Sequence, residues 1–435
     1  MTDYISIYNS KLMSARQVAE CVENGWIIGT DAGAAQPVSL FSALAERAYN
    51  DGLSGVKVHI MLDVYPFEFY ADSQLNGKIN GISWFSSGGA RKAVNGGWAT
   101  FVPNYYRDIP RHLAAGYDFD AVFLEVSPMD MHGYFSLATV ASISDVMISK
   151  SKRVYVVVND KQPRAVCGSM LHVSQVDGIS EHSHELPVLP AATLDDVSVA
   201  IGNIIAEQIP DGACIQLGIG AIPDATGMAL KNKKDLGIHT EMFTDSMVEL
   251  IECGAVNNSR KQIHRGQSIT TFAYGSKRIY DYIDDNPGIA LMPVDYVNDP
   301  NVICRNDNMI SINAAIEVDL FGQVCAESVG TKHMSGTGGQ VDYVRGACQS
   351  RGGKSFIAFA STAKNGTISK ISPILTPGAV CTTGKNDVDH IVTEYGIAKL
   401  RGRPMDERVK ALIAIAHPNF RDELTFEAKK RGLIV

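Results

Sequence analysis

Apolar and polar positions follow the same order in two stretches of the chain. In the first, residues 14–24 have apolar positions at helical spacing, and an apolar strand, a glycine-bearing loop, Pro37 and a second helical run follow. In the second, residues 195–209 show the helical spacing, and an apolar strand, another glycine loop, Pro223 and a helical run come after them. Each stretch therefore predicts a helix, a buried strand and a second helix in succession.

Two later pairs of segments keep that order, namely residues 121–126 with 314–318 and residues 173–181 with 386–394. Between them lies a candidate for a buried strand in each half, residues 153–159 and residues 355–361. The first pair sets Glu125 against Glu317, and a glycine follows in both copies. Apolar runs of this length that alternate with helical segments are typical of parallel sheets covered by helices. The sequence therefore predicts a duplicated α/β domain, although two unrelated α/β domains would give a similar pattern.

The length of the chain also favours two domains. At 435 residues it is longer than a single core usually grows. A proline-bearing stretch at 183–195 precedes the second entry helix and is the expected boundary. We therefore assign residues 1–188 to an N-terminal domain and residues 189–435 to a C-terminal domain. A cleft between two such domains is the natural position of a ligand site.

Composition and charge narrow the classes of function. The chain is 45% hydrophobic and 20% charged, and its formal net charge of −8 disfavours a nucleic-acid partner or an anionic membrane surface. Its eight cysteines are scattered without a C-x-x-C pair, as expected of reduced thiols in a cytoplasmic protein. No stretch reaches the ~18 apolar residues of a membrane-spanning helix, and the first residues do not resemble a signal peptide. We expect a cytoplasmic location.

Two glycine-rich segments are candidates for ligand contact. Gly218–Pro223 follows a predicted strand and precedes a predicted helix, so its backbone amides could face an anion or a polarised oxygen. It lacks the dinucleotide-binding and P-loop patterns, and a tight packing turn is the alternative. Residues 335–342 contain three glycines, which permit close approach of the backbone to a ligand. A flexible surface loop is the alternative there.

Two polar segments have less specific patterns. Residues 361–370 combine hydroxyls with two lysines after a predicted strand, which suits phosphates or a pantetheine arm but also a solvated hairpin. Residues 181–185 contain His182 and His184 between two glutamates, yet no third ligand stands at metal spacing. We interpret this segment as a solvated loop and expect no metal site.

Glu241 is the acid with the most unusual neighbours. It follows the glycine loop Gly218–Pro223 and the helix predicted after that loop. It stands between Thr240 and Met242, where a solvent-facing acid would have more polar surroundings. A glutamate in a chain with 47 acidic residues is ordinarily a surface charge. Its position near a glycine loop nevertheless suits a carboxylate held beside an acyl group whose oxygen becomes negative.

Six longer segments resemble the acetyl-CoA hydrolase/transferase family of CoA-transferases, and within it the 4-hydroxybutyrate and butyryl-CoA:acetate transferases. The resemblance covers nearly the whole chain and is densest in the second half. The segments are LGIGAIPDA (217–225), KDLGIHTEMFTD (234–245), PVDYVN (293–298), GTKHMSGTGGQVDYVRGA (330–347), VTEYGIAKLRGR (392–403) and IAHPNFRDEL (415–424).

The resemblance implies both a fold and a mechanism. The fold consists of two related α/β domains of the NagB/RpiA-like CoA-transferase type, with the site at the interdomain cleft. Glu241 corresponds to the catalytic glutamate of the family, which attacks the thioester of an acyl-CoA and is converted into a glutamyl-CoA thioester. This route conserves the thioester energy without ATP, and it gives ping-pong kinetics.

The resemblance also implies where the substrates bind. Coenzyme A is expected to contact Gly218, Ile219, Gly220, Ala221, Ile222, Ile316, Gly338, Gly339 and Lys364. The first domain is expected to supply the acyl and carboxylate pocket, for which the candidates are Gln36, Pro37, Ser87 and Tyr105. Each of these last four residues could equally serve packing or turn formation.

The sequence thus predicts an enzyme that moves CoA between a short-chain acyl-CoA and a carboxylate, namely 4-hydroxybutyrate or butyrate with acetate. An acyl-CoA hydrolase that uses the same glutamate, with water as the acceptor, is the nearest alternative. A non-catalytic CoA-binding protein is a further one. Coenzyme A is expected as a substrate, with no permanently bound cofactor and no metal. Enzymes of this type are commonly homo-oligomers.

Overall fold

The structure, a computed structural model, describes residues 3–435. Contacts divide the chain into two compact units. The first unit comprises the chain up to Pro190 and two later segments, Glu241–Asp245 and Ile269–Val297. The second unit comprises Ala191–Thr240, Ser246–Ser268 and Asn298–Val435. The two later segments, which the sequence pattern assigns to the second domain, thus pack with the first unit.

The first unit contains a seven-stranded parallel sheet and a small antiparallel hairpin. The strands up to Pro190 are β1 (Ile27–Ala32), β2 (Val56–Met61), β3 (Ile79–Phe85), β4 (Thr100–Phe101), β5 (Ala121–Val126), β6 (Tyr134–Ser136), β7 (Val154–Val158), β8 (Met170–His172) and β9 (Gly178–Glu181). The order in the main sheet is β4-β3-β2-β1-β5-β7-β9, and β6 pairs with β8. Strands β5 and β7 are buried along their whole length, which explains why both are mostly apolar in sequence.

Helices of the first unit connect these strands. Up to Pro190 they are α1 (Tyr4–Ser10), α2 (Ala15–Cys21), α3 (Val38–Asn50), α4 (Glu68–Ala71), α5 (Gly88–Gly96), α6 (Ile109–Gly116) and α7 (Ser144–Ser149). A capping box fixes the start of α2, because the Ser14 side chain accepts the N–H of Gln17 and the Gln17 side chain accepts the N–H of Ser14. Helix α3 buries Leu40 and Leu44 in the same core as the inner residues of β1 and β2.

A six-stranded sheet forms the centre of the second unit. From Ala191 onward the strands are β10 (Cys214–Leu217), β11 (Gly237–Ile238), β12 (Met242–Phe243), β13 (Ser268–Thr270), β14 (Phe272–Ala273), β15 (Ile289–Leu291), β16 (Met309–Ala314), β17 (Glu317–Asp319), β18 (Val324–Cys325), β19 (Ser328–Val329), β20 (Lys332–His333), β21 (Lys354–Ala358), β22 (Thr362–Ala363), β23 (Ile368–Ser369), β24 (Ile371–Ser372), β25 (His390–Thr393) and β26 (Gly396–Lys399). Of these, β12, β14, β15 and most of β13 lie in the later segments of the first unit. The sheet order is β11-β10-β16-β21-β25-β26; within this sheet the β25–β26 pair is antiparallel and the other four pairs are parallel.

The remaining helices lie after Ala191. They are α8 (Asp196–Ala206), α9 (Ala221–Ala229), α10 (Asp245–Glu252), α11 (Lys277–Ile283), α12 (Val294–Val297), α13 (Pro300–Ile303), α14 (Gln340–Gln349), α15 (Met405–Ile415) and α16 (Pro418–Lys430). Asp195 caps α8 by accepting the N–H of Ser198 at 2.7 Å. Across residues 3–435, no helix is both long enough and apolar enough to cross a membrane.

The architecture confirms the predicted α/β class with parallel sheets, but the expected pairing of Glu125 with Glu317 is wrong. Glu125 lies in β5 of the first sheet, whereas Glu317 begins β17 in a separate three-stranded sheet. The apolar run 314–318 joins the end of β16 to the start of β17, with a change of direction between them. The pattern of apolar residues does not reveal such a break, so the sequence predicts one strand where the structure has parts of two.

Candidate active site

Three neighbouring strands of the second sheet end beside one another. Because β10, β16 and β21 are adjacent and parallel, the segments after their carboxyl ends meet at one edge of the sheet. The glycine loop Gly218–Gly220 follows β10, Ile316 follows β16, and Ser361 follows β21. This edge, the carboxyl edge of the second sheet, therefore brings together most of the residues expected to contact coenzyme A.

The glycine loop is shorter than the sequence indicates. Helix α9 begins at Ala221, so Ala221 and Ile222 form its first turn, and the loop itself is Gly218–Gly220. The Gly218 N–H donates to the Ile312 carbonyl at 2.8 Å, and a Cβ on Gly218 would lie 3.1 Å from that oxygen. Gly220 has φ +118° and ψ 179°, a conformation that is open almost only to glycine. The loop thus passes close to β16 and presents the start of a helix, whose first N–H groups suit a negative oxygen.

The second glycine segment leads into α14 at the same edge. Gly338 and Gly339 are buried directly before the helix, and the Gln340 side chain donates to the Ala314 carbonyl at the end of β16, at 2.8 Å. Thr337 lies beside the buried Glu327, with 3.4 Å between its hydroxyl and one carboxylate oxygen. Burial raises the pKa of Glu327, against the opposing effect of neighbouring threonine hydroxyls. This segment is therefore held in place and is not a flexible surface loop.

The two lysines of residues 361–370 differ in their surroundings. Lys364 is exposed, has φ +47° and lies in the turn between β22 and β23. Lys370 instead donates to the Ala315 carbonyl at 3.0 Å and lies 5.1 Å above the Phe359 ring. Burial lowers the pKa of Lys370 to about 8, against the opposing charge of Glu394. The sequence does not distinguish Lys370 from Lys364, although the position of both lysines after a predicted strand is a partial signal of a site.

The candidates for the acyl and carboxylate pocket follow strands of the first sheet. Gln36 and Pro37 come after β1, Ser87 comes after β3, and Tyr105 comes after β4. Gln36 is fully buried; its side-chain amide donates to the carbonyls of Asp31, Met61 and Leu62, and its oxygen accepts the Val64 N–H at 3.2 Å.

The other three pocket candidates occupy different local settings. Pro37 is buried at the start of α3, and Tyr105 is half-buried directly before the turn Tyr106–Asp108. The Ser87 N–H donates to the Asp63 carboxylate at 3.0 Å, and the Ser87 hydroxyl donates to the Asp63 carbonyl. The structure thus places all four candidates at the carboxyl edge of the first sheet, with Gln36 and Ser87 visibly tied to neighbouring loops. Their role in binding substrate stays a prediction.

Residues 181–185 do not form a solvated loop throughout, which corrects the sequence interpretation for His184. The Nε2 of His184 lies 2.9 Å from an Oε atom of Glu125, whose side chain is completely buried. Asn159 and Gln162 donate to the other Glu125 oxygen at 3.0 and 2.8 Å. The hydrogen bond to Glu125 is the main cause of a raised pKa for His184. A buried glutamate can be recognised in a strand pattern, but its distant histidine partner cannot.

Glu241 lies where the chain returns from the second unit to the first. It is half-buried between the buried residues Thr240 and Met242. Its backbone carbonyl accepts the N–H of Thr271 at 3.0 Å, the N–H of Phe272 at 3.3 Å and the hydroxyl of Thr270 at 2.8 Å. The adjacent strand β12 pairs in parallel with β14. The backbone of Glu241 is therefore fixed by three donors from one segment of the first unit.

Two other acids near the predicted site are committed to structural contacts. The Glu317 carboxylate accepts the N–H and the hydroxyl of Thr376 at 3.0 and 2.9 Å. The Glu394 carboxylate accepts the N–H and the hydroxyl of Ser361 at 2.9 and 2.6 Å. Within residues 3–435 there is no group of three or more His, Cys, Asp or Glu side chains arranged to hold a metal ion.

Family models match both halves of the chain. Residues 1–190 match the acetyl-CoA hydrolase/transferase N-terminal domain, and residues 275–428 match the acetyl-CoA hydrolase/transferase C-terminal domain. Together the two matches cover well over half of the chain. The protein belongs to the acetyl-CoA hydrolase/transferase family.

Individual relatives are similar over their full length. The chain is 47% identical to a succinyl-CoA:cyclohexane-1-carboxylate CoA transferase of Geobacter metallireducens, over 99% of this chain and 98% of that protein. It is 42% identical to a 4-hydroxybutyrate coenzyme A transferase of Clostridium kluyveri, over 99% and 100%. The crystal structure of RipA from Yersinia pestis has 38% identity and a TM-score of 0.94, with complete coverage of both chains. These similarities confirm the predicted family and show an enzyme of CoA transfer.

Proposed function

We propose that this enzyme transfers CoA between a short-chain acyl-CoA and a carboxylate, 4-hydroxybutyrate or butyrate with acetate, through a covalent intermediate on Glu241. The observation that carries the proposal is the setting of Glu241 in a chain whose relatives are CoA-transferases along their whole length. Its backbone is fixed by three donors, and the residue is half-buried between the buried residues Thr240 and Met242. A nucleophile in such a place is oriented and partly protected from water.

Each step of the proposed reaction conserves a high-energy acyl bond. The Glu241 carboxylate attacks the thioester carbonyl of the acyl-CoA, which forms an acyl-glutamyl anhydride and releases CoA thiolate. The thiolate attacks the glutamyl carbonyl, which forms a glutamyl-CoA thioester and releases the first carboxylate. The acceptor carboxylate then attacks the glutamyl carbonyl of this thioester, which forms a new acyl-glutamyl anhydride and releases CoA thiolate. The thiolate attacks the acyl carbonyl of that anhydride, which forms the new acyl-CoA and releases the Glu241 carboxylate. No ATP is consumed, and the kinetics are ping-pong.

The two carboxyl edges have different proposed roles. In the second sheet, the glycine loop, the first turn of α9, Ile316, the segment before α14 and Lys364 contact coenzyme A and the thioester oxygen. Glycine-rich turns and helix starts supply backbone N–H groups for such an oxygen. In the first sheet, Gln36, Pro37, Ser87 and Tyr105 shape the pocket for the acyl group and the acceptor acid. Coenzyme A is a substrate here, and no resident cofactor takes part.

Duplication of an ancestral α/β domain, with residues 1–188 and 189–435 as its two copies, is part of the same proposal. The strand orders support it, because β2-β1-β5-β7-β9 in the first sheet has the same relative order along the chain as β11-β10-β16-β21-β25 in the second. Two turns of the same construction, one after β5 and one after β17, support it as well. Asp130 accepts the N–H groups of His132 and Tyr134, on either side of Gly133, and Asp319 accepts those of Phe321 and Gln323, on either side of Gly322.

A panel of donors and acceptors tests the transferase assignment. Acetyl-CoA or butyryl-CoA is incubated with acetate, 4-hydroxybutyrate, butyrate, succinate or cyclohexane-1-carboxylate, and the new acyl-CoA is measured by mass. We expect exchange with the short acids in ping-pong kinetics. Release of free CoA without any new acyl-CoA would instead identify a hydrolase.

The covalent step is tested at Glu241 itself. Borohydride added after incubation with acyl-CoA reduces the glutamyl thioester to an alcohol, and we expect the modified peptide to contain residue 241. Replacing Glu241→Gln should abolish turnover and labelling while the melting temperature changes little. Labelling of the peptides with Glu317 or Glu394 would assign the nucleophile to another acid, and full turnover by Glu241→Gln would contradict the mechanism.

Cellular location and assembly complete the proposal. A cytoplasmic enzyme is supported by eight cysteines that are all free in the structure, two of them exposed. A homo-oligomer is proposed because enzymes of this type commonly assemble from identical subunits. Light scattering of the purified enzyme measures its mass directly, and a monomer at assay concentration would contradict that part.

A further inference from the structure

His184 is a half-buried histidine of the first unit whose two ring nitrogens both face oxygen atoms. Its Nε2 lies 2.9 Å from the Oε2 of Glu125, and its Nδ1 lies 3.0 Å from the main-chain oxygen of Glu185. A neutral imidazole has one N–H group and can donate to only one of these two oxygens. The arrangement therefore requires two protons, one on Nδ1 and one held between Nε2 and the Glu125 carboxylate.

The other oxygen of Glu125 holds two side-chain amides. The Glu125 side chain is completely buried, and its Oε1 accepts N–H groups of Asn159 at 3.0 Å and of Gln162 at 2.8 Å. The same nitrogen of Gln162 also donates to the Ala34 carbonyl at 2.8 Å. These hydrogen bonds form a continuous series, the His184 network, which runs from His184 through Glu125 and Gln162 to Ala34.

Gln162 is held in one orientation by this network. The residue is buried, and its Oε1 has no hydrogen-bond partner in the part of the chain that the structure describes, residues 3–435. A buried oxygen without a partner costs free energy. Turning the amide over would not remove that cost, because the oxygen would then face the Glu125 carboxylate and the Ala34 carbonyl. Both N–H groups of Gln162 are therefore committed to the network.

A second contact of His184 leads to the same carbonyl. The His184 ring packs edge-on against the Tyr65 ring, with 6.0 Å between the ring centroids. The Tyr65 hydroxyl donates to the Ala34 carbonyl at 3.2 Å. Two donors, one from the loop after β7 and one from the loop after β2, therefore hold the main chain at Ala34, and both of them contact the His184–Glu125 pair.

Ala34 belongs to the loop that follows β1. It is buried in the short turn Gly33–Ala35, and Gln36 and Pro37 come directly after this turn. Gln36 and Pro37 are two of the residues proposed to shape the pocket for the acyl group and the acceptor acid. The His184 network thus ends on the main chain of that pocket, two residues away from Gln36.

We propose that His184 is a positioning residue for this pocket: with two protons it holds the loop after β1 through Glu125 and Gln162, and loss of one proton weakens binding of the acceptor acid. The inference rests on the proposed function, which assigns the acceptor acid to this pocket. Without that proton, one ring nitrogen has a lone pair facing an oxygen, so the contact to Glu125 or to Glu185 must open. Buried hydrogen bonds in a network reinforce one another, so the change extends to Gln162.

The surroundings of His184 determine the direction of the pH dependence. Within residues 3–435, the titratable groups against its ring are Glu125 of β5, Glu185 of its own loop, Tyr65 and His182, whose ring centroid lies 5.2 Å away. The hydrogen bond to Glu125 raises the pKa of His184 above its usual value of 6.5, although burial acts in the opposite direction. The network is therefore complete below this raised pKa and is lost as the pH rises through it.

The KM for the acceptor acid, measured as a function of pH, tests the inference. Wild-type enzyme is assayed from pH 6 to pH 9 with acetate as acceptor. Butyryl-CoA is kept saturating, because Lys370 is expected to change the KM for acyl-CoA over the same interval. We expect the KM for acetate to rise about fivefold with a midpoint above pH 6.5, while kcat changes less than about twofold. Acetate stays ionised throughout, since carboxylic acids titrate near pH 4.

Substitutions of His184 separate positioning from folding. In His184→Gln the side chain does not titrate and cannot donate to both oxygens, so the KM for acetate should be about fivefold raised at every pH. His184→Lys keeps a charged donor to higher pH, so its KM at pH 9 should be lower than that of His184→Gln. His182→Gln is the control, because His182 is exposed and only two residues away; it should follow the wild-type curve. Melting temperatures show that each variant is folded.

The outcomes distinguish this inference from the proposed function. A KM for acetate that stays constant from pH 6 to pH 9 in the wild type, in an enzyme that still exchanges CoA, would overturn the inference alone. A folded His184→Gln variant with a lower melting temperature but the wild-type KM curve would do so too, since His184 would then serve stability only. Release of free CoA without exchange would refute the proposed function and the inference together.

Discussion

The carboxyl edges of the two sheets differ in their polar groups. In the first unit the edge holds three buried carboxylates, Asp31, Asp63 and Glu125, each surrounded by hydrogen-bond donors from nearby loops. The corresponding edge of the second unit also holds carboxylates, those of Glu327 and Glu394. It adds glycines, the first N–H groups of α9 and the ammonium group of Lys370, all of which can approach or donate to a ligand.

In the proposed mechanism this difference divides the two halves of the chemistry. A glutamate nucleophile needs a rigid and partly dry setting, and the proposed nucleophile, Glu241, belongs to the first unit through a returning segment. The polarised carbonyl and the phosphate groups of an acyl-CoA need N–H donors and positive charge, and the proposed CoA site at the second edge contains both. Each of the following experiments substitutes a residue at one of the two edges. A substitution of a similar residue elsewhere in the chain is the control.

The largest effect is expected at Gly220 in the second edge. Gly220→Ala places a side chain on a backbone with φ +118°, which an L-residue rarely adopts, so the loop before α9 must move. We expect kcat/KM for the acyl-CoA to fall about 100-fold, in the range seen when one donor to a reacting oxygen is lost. Steady-state kinetics with varied acyl-CoA measure it.

Gly432→Ala is the control for Gly220→Ala. Gly432 also has a positive φ, +66°, and a Cβ at either glycine would meet open space. A side chain costs less at φ +66° than at φ +118°, so the melting temperatures of both variants are compared before their kinetics. The control should lose a little stability and no activity. Equal kinetics in the two variants would show that the loop before α9 does not hold substrate.

A smaller effect is expected from Lys370. With a pKa of about 8, this ammonium loses its charge as the pH rises from 7 to 9. We expect KM for the anionic acyl-CoA to rise over this interval, and Lys370→Met to have a KM about tenfold higher at pH 7 and less dependence on pH. The buried charge costs folding free energy below pH 8, a cost that is relieved between pH 8 and the unfolded pKa near 10.5.

Lys354→Met is the matched control for Lys370→Met. Lys354 is at the opposite, amino end of β21, and its ammonium also donates to a backbone carbonyl, that of Gln208, at 3.1 Å. The substitution should leave KM for acyl-CoA unchanged at both pH values. A pH-dependent KM that survives in Lys370→Met would assign the titration to another group.

The smallest effect on activity is expected in the first edge, from Glu125→Gln. The amide would face the side-chain donors of Asn159 and Gln162, and we expect a loss of about 1–2 kcal/mol in the free energy of unfolding, measured with urea. The pKa of His184 is raised in the folded protein, so its pairing with Glu125 stabilises the fold fully below the unfolded pKa. That contribution is lost as the pH rises through the folded pKa.

Glu317→Gln shows whether the histidine causes this pH dependence. Glu317 is also buried, but its partners are the N–H and hydroxyl of Thr376, which do not titrate near neutral pH. It should lose stability equally at pH 6 and pH 8, whereas the loss in Glu125→Gln should be greater at pH 6. An equal loss at both pH values in Glu125→Gln would rule out a role for His184.

Local sequence signals predict much of this fold. The helix before each first strand is correctly expected because its apolar spacing coincides with a capping residue, Ser14 or Asp195. The glycine loop after β10 is also found at the expected place, since Gly218 must pass close to β16. These features depend on a few neighbouring residues, which a single sequence contains.

Features that depend on distant contacts escape prediction. Nothing near Tyr106 in sequence shows that it packs on Phe272, and nothing near His184 shows the buried Glu125 beside it. The sequence places Glu241 in apolar company, but its packing with the first unit follows from bonds made by Thr271 and Phe272. Such contacts join segments that are far apart in the chain, and the local spacing of apolar residues does not identify them.

The returning segments also determine when the first unit can be finished during synthesis on the ribosome. Its sheet is encoded before Pro190, yet Val140 pairs with Phe272 and Cys167 with Leu291, so the unit is incomplete until Val297 has been translated. Domains generally fold in the order in which they emerge. Here the earlier unit must wait for a later part of the chain, and a prematurely terminated product that ends near Pro190 would lack Glu241, the proposed nucleophile, altogether.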